Sequence, residues 1–147
     1  MKRAARAIII SNNNILVMKR DKFGEQYYTL IGGHVEIGES LEKALFREVH
    51  EESMIRISKP RLVYTQSAIE PYGTQYIYLC HYESGVPMLH PNSEEREINK
   101  GGKNIYTPMW LPLSQLSEVA FLPTKLRDQI LSDINNGFPE EPQTIIA

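Results

Sequence analysis

The sequence predicts a mixed α/β domain in which a mixed β-sheet is covered by helices on both faces. β-prone runs lie before and after a stretch of helical periodicity, so strands feed into a helix and more strands follow it. A second helical spacing, Leu126, Ile130, Leu131 and Ile134, lies between Pro123 and Gly137. The 147 residues fit one domain, 1–147, and 41% hydrophobic with 23% charged residues is ordinary for a globular chain.

In chain order, residues 7–10 and 15–19 read as strands joined through the turn-favouring Ser11, Asn12, Asn13 and Asn14. Residues 21–26, polar and containing Gly24, read as a loop. Residues 27–31 form a short β-prone run leading into a tight turn at Gly32 and Gly33. Ser40 suits a helix N-cap and Glu42 the first turn, while Leu41, Ala44, Leu45 and Val49 supply an apolar stripe; a helix from 40 to about 53 is expected. Strands follow at 61–69 and 75–82, joined by a turn at 70–73. Residues 83–104 are polar and broken by Pro87, Pro91, Gly101 and Gly102, and a loop that long is usually functional or mobile. Residues 106–111 give another strand, which Pro108 assigns to a sheet edge. A short helix after Ser114 precedes the final one, and the tail, 138–147, with Pro139 and Pro142, is expected to be loose.

The net charge of −2 and pI near 6.1 leave no basic field to attract duplex nucleic acid or an anionic membrane. A small phosphorylated substrate stays compatible. Cys80 is single and sits in an apolar-aromatic run, so it reads as a small buried hydrophobe rather than a reactive thiol. Lys2, Arg3 and Arg6 mimic the start of a signal peptide, but the apolar stretch after them ends at Ser11, too short for export. A cytoplasmic protein is expected.

Glu48, Glu51 and Glu52 fall within one helical turn, where like charges repel by roughly 0.2–0.5 kcal/mol per pair. The last two also sit near the helix C-terminus, where the backbone dipole favours cations. A divalent cation such as Mg²⁺, which takes carboxylate oxygens, turns that repulsion into coordination. Gly32 and Gly33 let backbone carbonyls approach an ion or phosphate, and Gly38 serves a turn before the helix. Glu39, eight residues before Arg47, can bridge loop to helix, so that Arg47 also orients Glu51. Carboxylates around a cation suit hydrolysis of a phosphoric anhydride, and their mutual repulsion suits one of them to accept a proton.

This segment resembles the signature box of the Nudix hydrolase family: Gly, five residues, Glu, seven residues, then Arg-Glu-apolar-any-Glu-Glu-any-Gly-apolar. Gly33, Glu39, Arg47, Glu48, Val49, Glu51, Glu52 and Ile55 match it, a set expected by chance in about one chain in a million. The resemblance covers residues 33–55 and implies an α/β/α sandwich. It further implies hydrolysis of a nucleoside diphosphate linked to another moiety, such as a nucleotide sugar, ADP-ribose or a modified dNTP. Glu48, Glu51, Glu52 and Gly32 are the metal-ligand positions it implies, Mg²⁺ or Mn²⁺ the cofactor, and a homodimer a common assembly. Two positions depart: Met54 replaces the box glycine, and Ile31 the proline before the glycine pair. Methionine at a left-handed cap costs about 1 kcal/mol or alters how the helix ends.

Arg20, at a strand end, either reaches a substrate phosphate or is a solvated charge. Tyr27 and Tyr28 flank the glycines and either contact a base or pack in the sheet. Tyr76, Tyr78 and Tyr82 share a strand face and either stack a nucleobase or simply pack on a half-buried sheet, which needs no ligand to explain them. The resemblance further implies a carboxylate from the long loop, as base or ligand, at Glu94 or Glu95, unless that cluster is merely solvated. His34 and His50 are not read as ligands, and Trp110 is read as core. A metal-dependent pyrophosphohydrolase is the leading reading. A nucleotide-binding sensor that kept the fold but lost catalysis is the alternative, and a protein-interaction domain the third.

Overall fold

Two asparagines open the fold. Asn12 and Asn13 sit at φ 50° and 62°, a region asparagine tolerates better than most residues. They close a two-residue hairpin between β1 (Arg3–Ser11) and β2 (Asn14–Lys22) in a computed structural model that describes residues 2–67 and 73–146. A second such turn, Phe23 at φ 51° and Gly24 at φ 90°, joins β2 to β3 (Glu25–Thr29). Positive φ at both central residues matches the twist of paired strands, so residues 21–26 are mostly strand rather than loop. Gly32 and Gly33 likewise lie inside β4 (Ile31–His34), antiparallel to β1, and not in a turn.

The helix α1 (Leu41–Ser53) begins where Ser40 Oγ accepts the Lys43 amide at 3.1 Å. Ala44, Leu45 and Val49 are buried, as the apolar stripe requires. It ends with Met54 at φ 60°, whose amide donates to the His50 carbonyl at 2.9 Å. The left-handed cap is thus kept despite the missing glycine, with strain of about 1 kcal/mol.

β5 (Arg56–Ser67) starts earlier than residue 61 because Lys59, at φ 48°, and Pro60 are absorbed as a bulge, where pairing with β6 (Thr74–Ser84) shifts register between Ser58 and Arg61. Residues 68–72, which hold the end of the expected strand and most of the expected turn at 70–73, lie outside the described residues. The long polar stretch contains a short helix, α2 (Glu94–Asn99), capped by Ser93. β7 (Asn104–Pro112) pairs along β2 and carries Pro108 at the sheet edge, as expected. A 3₁₀ turn, Leu113–Gln115, precedes α3 (Thr124–Asn136). The tail is not loose throughout: β8 (Gln143–Ile145) pairs in parallel with β5, and Ile145 is buried.

The strands run β3-β2-β1-β6-β5-β8, with β4 also on β1 and β7 also on β2. The β1–β6 and β5–β8 pairs are parallel and the rest antiparallel, so the sheet is mixed. One core packs α1 against Ala5, Ala7, Ile9 and Tyr78; the other packs α3 against Ile8, Val63, Tyr64 and Ile77. Helices on both faces make the α/β/α sandwich. Cys80 is buried in the first core and its thiol is pushed up to about 12 by burial. Trp110 and Tyr82, edge-on at 5.3 Å, pack against the same core. Among the described residues no helix is long and apolar enough to cross a membrane.

Met54→Gly should stabilise the fold by about 1 kcal/mol through relief of the left-handed cap. A urea-denaturation midpoint measures it, and a lower midpoint would mean that the methionine side chain contributes more than the cap costs.

Candidate active site

Arg47 organises the acids. Its Nε and Nη2 donate to the two carboxylate oxygens of Glu39 at 2.7 and 2.9 Å, tying the loop before α1 onto the helix. Its Nη1 donates to Glu48 at 2.9 Å and Glu51 at 3.4 Å, and Nη2 also reaches the His34 carbonyl at 3.1 Å. The guanidinium holds the Glu39 carboxyl down to about 2. The predicted loop-to-helix bridge is present, and the arginine touches two of the three acids besides.

Glycine makes room for the other two contacts. A Cβ on Gly33 would stand 2.5 Å from the Glu48 carboxylate, so Glu48 rests on bare backbone. The Gly32 amide donates to Glu52 Oε1 at 3.0 Å, while its carbonyl accepts Arg6 Nη1 at 2.9 Å. Glu52 is only 8% exposed. Burial pushes its carboxyl up to about 8, against the opposing pull of Arg6 and the Gly32 amide. Burial also raises Glu48, outweighing Arg47, whereas Glu51 is half-exposed. Gly38 takes φ 82° in the turn before the helix, as expected.

The long polar stretch is strapped across α1. Met88 and His90 amides donate to the Ser53 and Glu51 carbonyls at 3.0 and 2.9 Å. At the far end Asn99 clips onto β7, giving Nδ2 to the Tyr106 carbonyl at 2.9 Å and taking its amide at 2.7 Å. Between these anchors Glu95 is half-buried and its charge raises both Glu48 and Glu52. Burial comes first among the causes that raise Glu95 itself, followed by Glu94 and Glu51, with Arg20 opposing. Glu94 is exposed, so Glu95 is the loop acid that joins the cluster.

Arg20 lies beside it. Its guanidinium carbon stands 3.7 Å from the Tyr106 ring centroid and 5.7 Å from that of Tyr27, and Nη2 donates to Asn104 at 2.7 Å. Tyr28, named with the substrate contacts from sequence, belongs elsewhere. Its side chain packs on the α3 core and its backbone bonds Ala120 and Leu122, because successive strand residues face opposite ways. Tyr27 is the one of the pair that faces Arg20. His34 and His50 are exposed and neither side chain meets the acids; His50 stands edge-on to His90 at 5.3 Å.

Sequence reasoning missed Arg6, Asn99, Asn104 and Tyr106. A cation between Ala5 and Ala7 in a buried strand is a signal for Arg6, and Ser93 before an acidic run is a helix-cap signal for α2.

An oxygen-rich, partly buried set of carboxylates on glycine backbone fits a hard divalent cation. Among the described residues no three of them already converge as a closed ligand set; Arg47 lies between Glu48 and Glu51.

The family model described as NUDIX domain matches residues 1–131. An NAD-capped RNA hydrolase, NudC, of Vibrio parahaemolyticus is 30% identical over 125 residues, 83% of this chain and 44% of that protein. Its Photorhabdus laumondii counterpart is 38% identical over 74 residues, half of this chain and 29% of that one. The chain therefore spans less than half the length of these curated relatives. A NUDIX hydrolase structure from Nitrosomonas europaea superposes with a TM-score of 0.71 at 17% identity, covering 99% of this chain and 79% of that one. An ADP-ribose pyrophosphatase structure from Streptococcus suis gives 0.65 at 19% identity, covering 99% and 98%. At those identities the likeness is one of fold.

Two expectations follow. Because Glu52 holds its proton to about pH 8 when folded and loses it near 4.5 otherwise, metal-free stability falls as pH rises between those values. Melting temperatures in chelator across that range measure it, and Glu52→Gln should flatten the slope. Gly33→Ala should displace the Glu48 carboxylate, a flexible end, and keep the fold. Gly32→Ala should unfold the edge, since its Cβ would meet the Ala5 carbonyl at 2.1 Å. Equal melting temperatures for the two variants would contradict this packing.

Proposed function

The chain belongs to the NUDIX family, and on that premise we propose that it is a metal-dependent pyrophosphohydrolase acting on a nucleoside diphosphate linked to another moiety. The observation that carries the reading is the joint placement of Glu48, Glu51 and Glu52 at one helix edge, with Arg47 and the glycines in contact with that group and Glu39 holding Arg47.

Glu48, Glu51 and Glu52 are the proposed donor set, with the second lone pair of the Gly32 carbonyl beside them. Mg²⁺ or Mn²⁺ bound there supplies charge neutralisation for the diphosphate and a more acidic attacking water. Water oxygen adds to one phosphorus of the anhydride, the bridging P–O bond breaks, and the other phosphate leaves with those electrons. The proton of the water passes to a carboxylate, for which the half-exposed Glu51 and Glu95 are the candidates. Arg20, braced by Tyr106 and Asn104, is the proposed phosphate contact, with Glu94 and Glu95 at the rim.

The net charge of −2 favours a small nucleotide over duplex nucleic acid. The relatives' name adds an NAD-capped RNA to the compounds worth testing.

Glu52→Gln and Glu51→Gln should each lower kcat by orders of magnitude and leave the fold intact. The assay is chromatographic detection of the cleavage products, a mononucleotide and the other phosphomonoester or pyrophosphate, with Mg²⁺ and with Mn²⁺ from nucleotide sugars, ADP-ribose, dinucleoside polyphosphates, oxidised dNTPs and an NAD-capped RNA. Unchanged turnover in both variants would remove the enzyme reading. Binding without cleavage of any compound would favour the sensor.

A further inference from the structure

Arg6 is a guanidinium in the middle of a buried strand, between Ala5 and Ala7, both fully buried. Such a group is expensive to place there unless its donors are used. Two are: Nε donates to Gln75 Oε1 at 3.1 Å, and Nη1 donates to the Gly32 carbonyl at 2.9 Å. Gln75 lies on β6 and Gly32 on β4, so the fork spans both neighbours of β1.

Gly32 has no side chain to fix it, and φ 146° leaves no room for one. Its orientation depends on its polar atoms. The amide meets Glu52 and the carbonyl meets Arg6. That carbonyl belongs to the peptide that carries Gly33, the bare backbone beneath the Glu48 carboxylate. Holding it therefore sets the surface for two acids at once.

We propose that Arg6 is a positioning residue for the acid cluster, its fork between Gln75 and the Gly32 carbonyl fixing the diglycine strand against which Glu48 and Glu52 are held. This rests on the reading that those acids take a divalent cation. Arg6 touches no reacting atom in this role. The fixed planar fork spans both acceptors at once, which sets arginine apart from lysine here.

The test is binding of Mn²⁺ alone, followed by electron paramagnetic resonance on the full chain, beside kinetics at saturating metal. Arg6→Gln should weaken Mn²⁺ binding about 10- to 100-fold and lower kcat comparably, with KM unchanged. Arg6→Lys should stay impaired. Unchanged Mn²⁺ binding in Arg6→Gln, full recovery in Arg6→Lys, or a raised KM with kcat preserved would each overturn the proposal, the last by making Arg6 a substrate contact. Should Arg6→Gln fail to fold, Gln75→Met removes one anchor and should weaken Mn²⁺ binding about 10-fold, the low end for loss of an outer partner; unaltered binding there also overturns it. Because Mn²⁺ is measured without substrate, a wild-type chain that binds the ion and cleaves nothing would refute the hydrolase reading and leave the role of Arg6 standing.

Discussion

The arrangement around Arg47 is the constraint on which the rest of the site depends. Three carboxylates crowded on one helical turn repel one another, and a chain that kept them unbalanced would splay them into solvent. Arg47 meets that repulsion with a planar group whose donors are fixed in direction. Two of those donors take both oxygens of Glu39, and a third reaches Glu48 and Glu51. The arginine is a quarter exposed, so its contribution to stability is modest. Its importance lies in direction: it ties the box loop to α1 and keeps the acids aimed at the edge of β4.

The remaining parts reach that edge from three sides. From below, β1 and β4 bring bare glycine backbone up to Glu48 and Glu52. From above, the segment between β6 and α2 hangs on the last carbonyls of α1, so that Glu95 arrives by way of the same helix that carries the other acids. From the side, Arg20 leans on Tyr106 and faces the negative cluster. The acid cluster is thus framed by cations at two of its borders, Arg47 and Arg20, with the buried Glu52 at its centre.

Much of this was legible in the sequence because it is local. A cap at Ser40, an apolar stripe and the spacing of Glu39 from Arg47 all act within a few turns of one helix, and each was found where the spacing put it. Elements that depend on partners far along the chain were harder to read. β1 extends back to Arg3, beyond the expected start at residue 7, because the Arg6 guanidinium finds hydrogen-bond acceptors 26 and 69 residues away. The strand at 61 begins earlier because a bulge accommodates Lys59 and Pro60, which read locally as a break. The choice between Tyr27 and Tyr28 turns on the pleat of β3, which no periodicity over five residues could fix. Glu95 was separable from Glu94 only once a short helix turned one inward and the other to solvent.

The short final strand has a consequence for how the molecule behaves in company. β5 would otherwise present Tyr64, Thr65 and Gln66 at the border of the sheet, and β8 lies along those residues while Ile145 fills the hydrophobic space beside them. An uncovered strand border is a template onto which another polypeptide can add itself. Three residues of β8 therefore occupy that border and leave it no free backbone over Tyr64–Gln66, on the side of the sheet away from β4 and the acids.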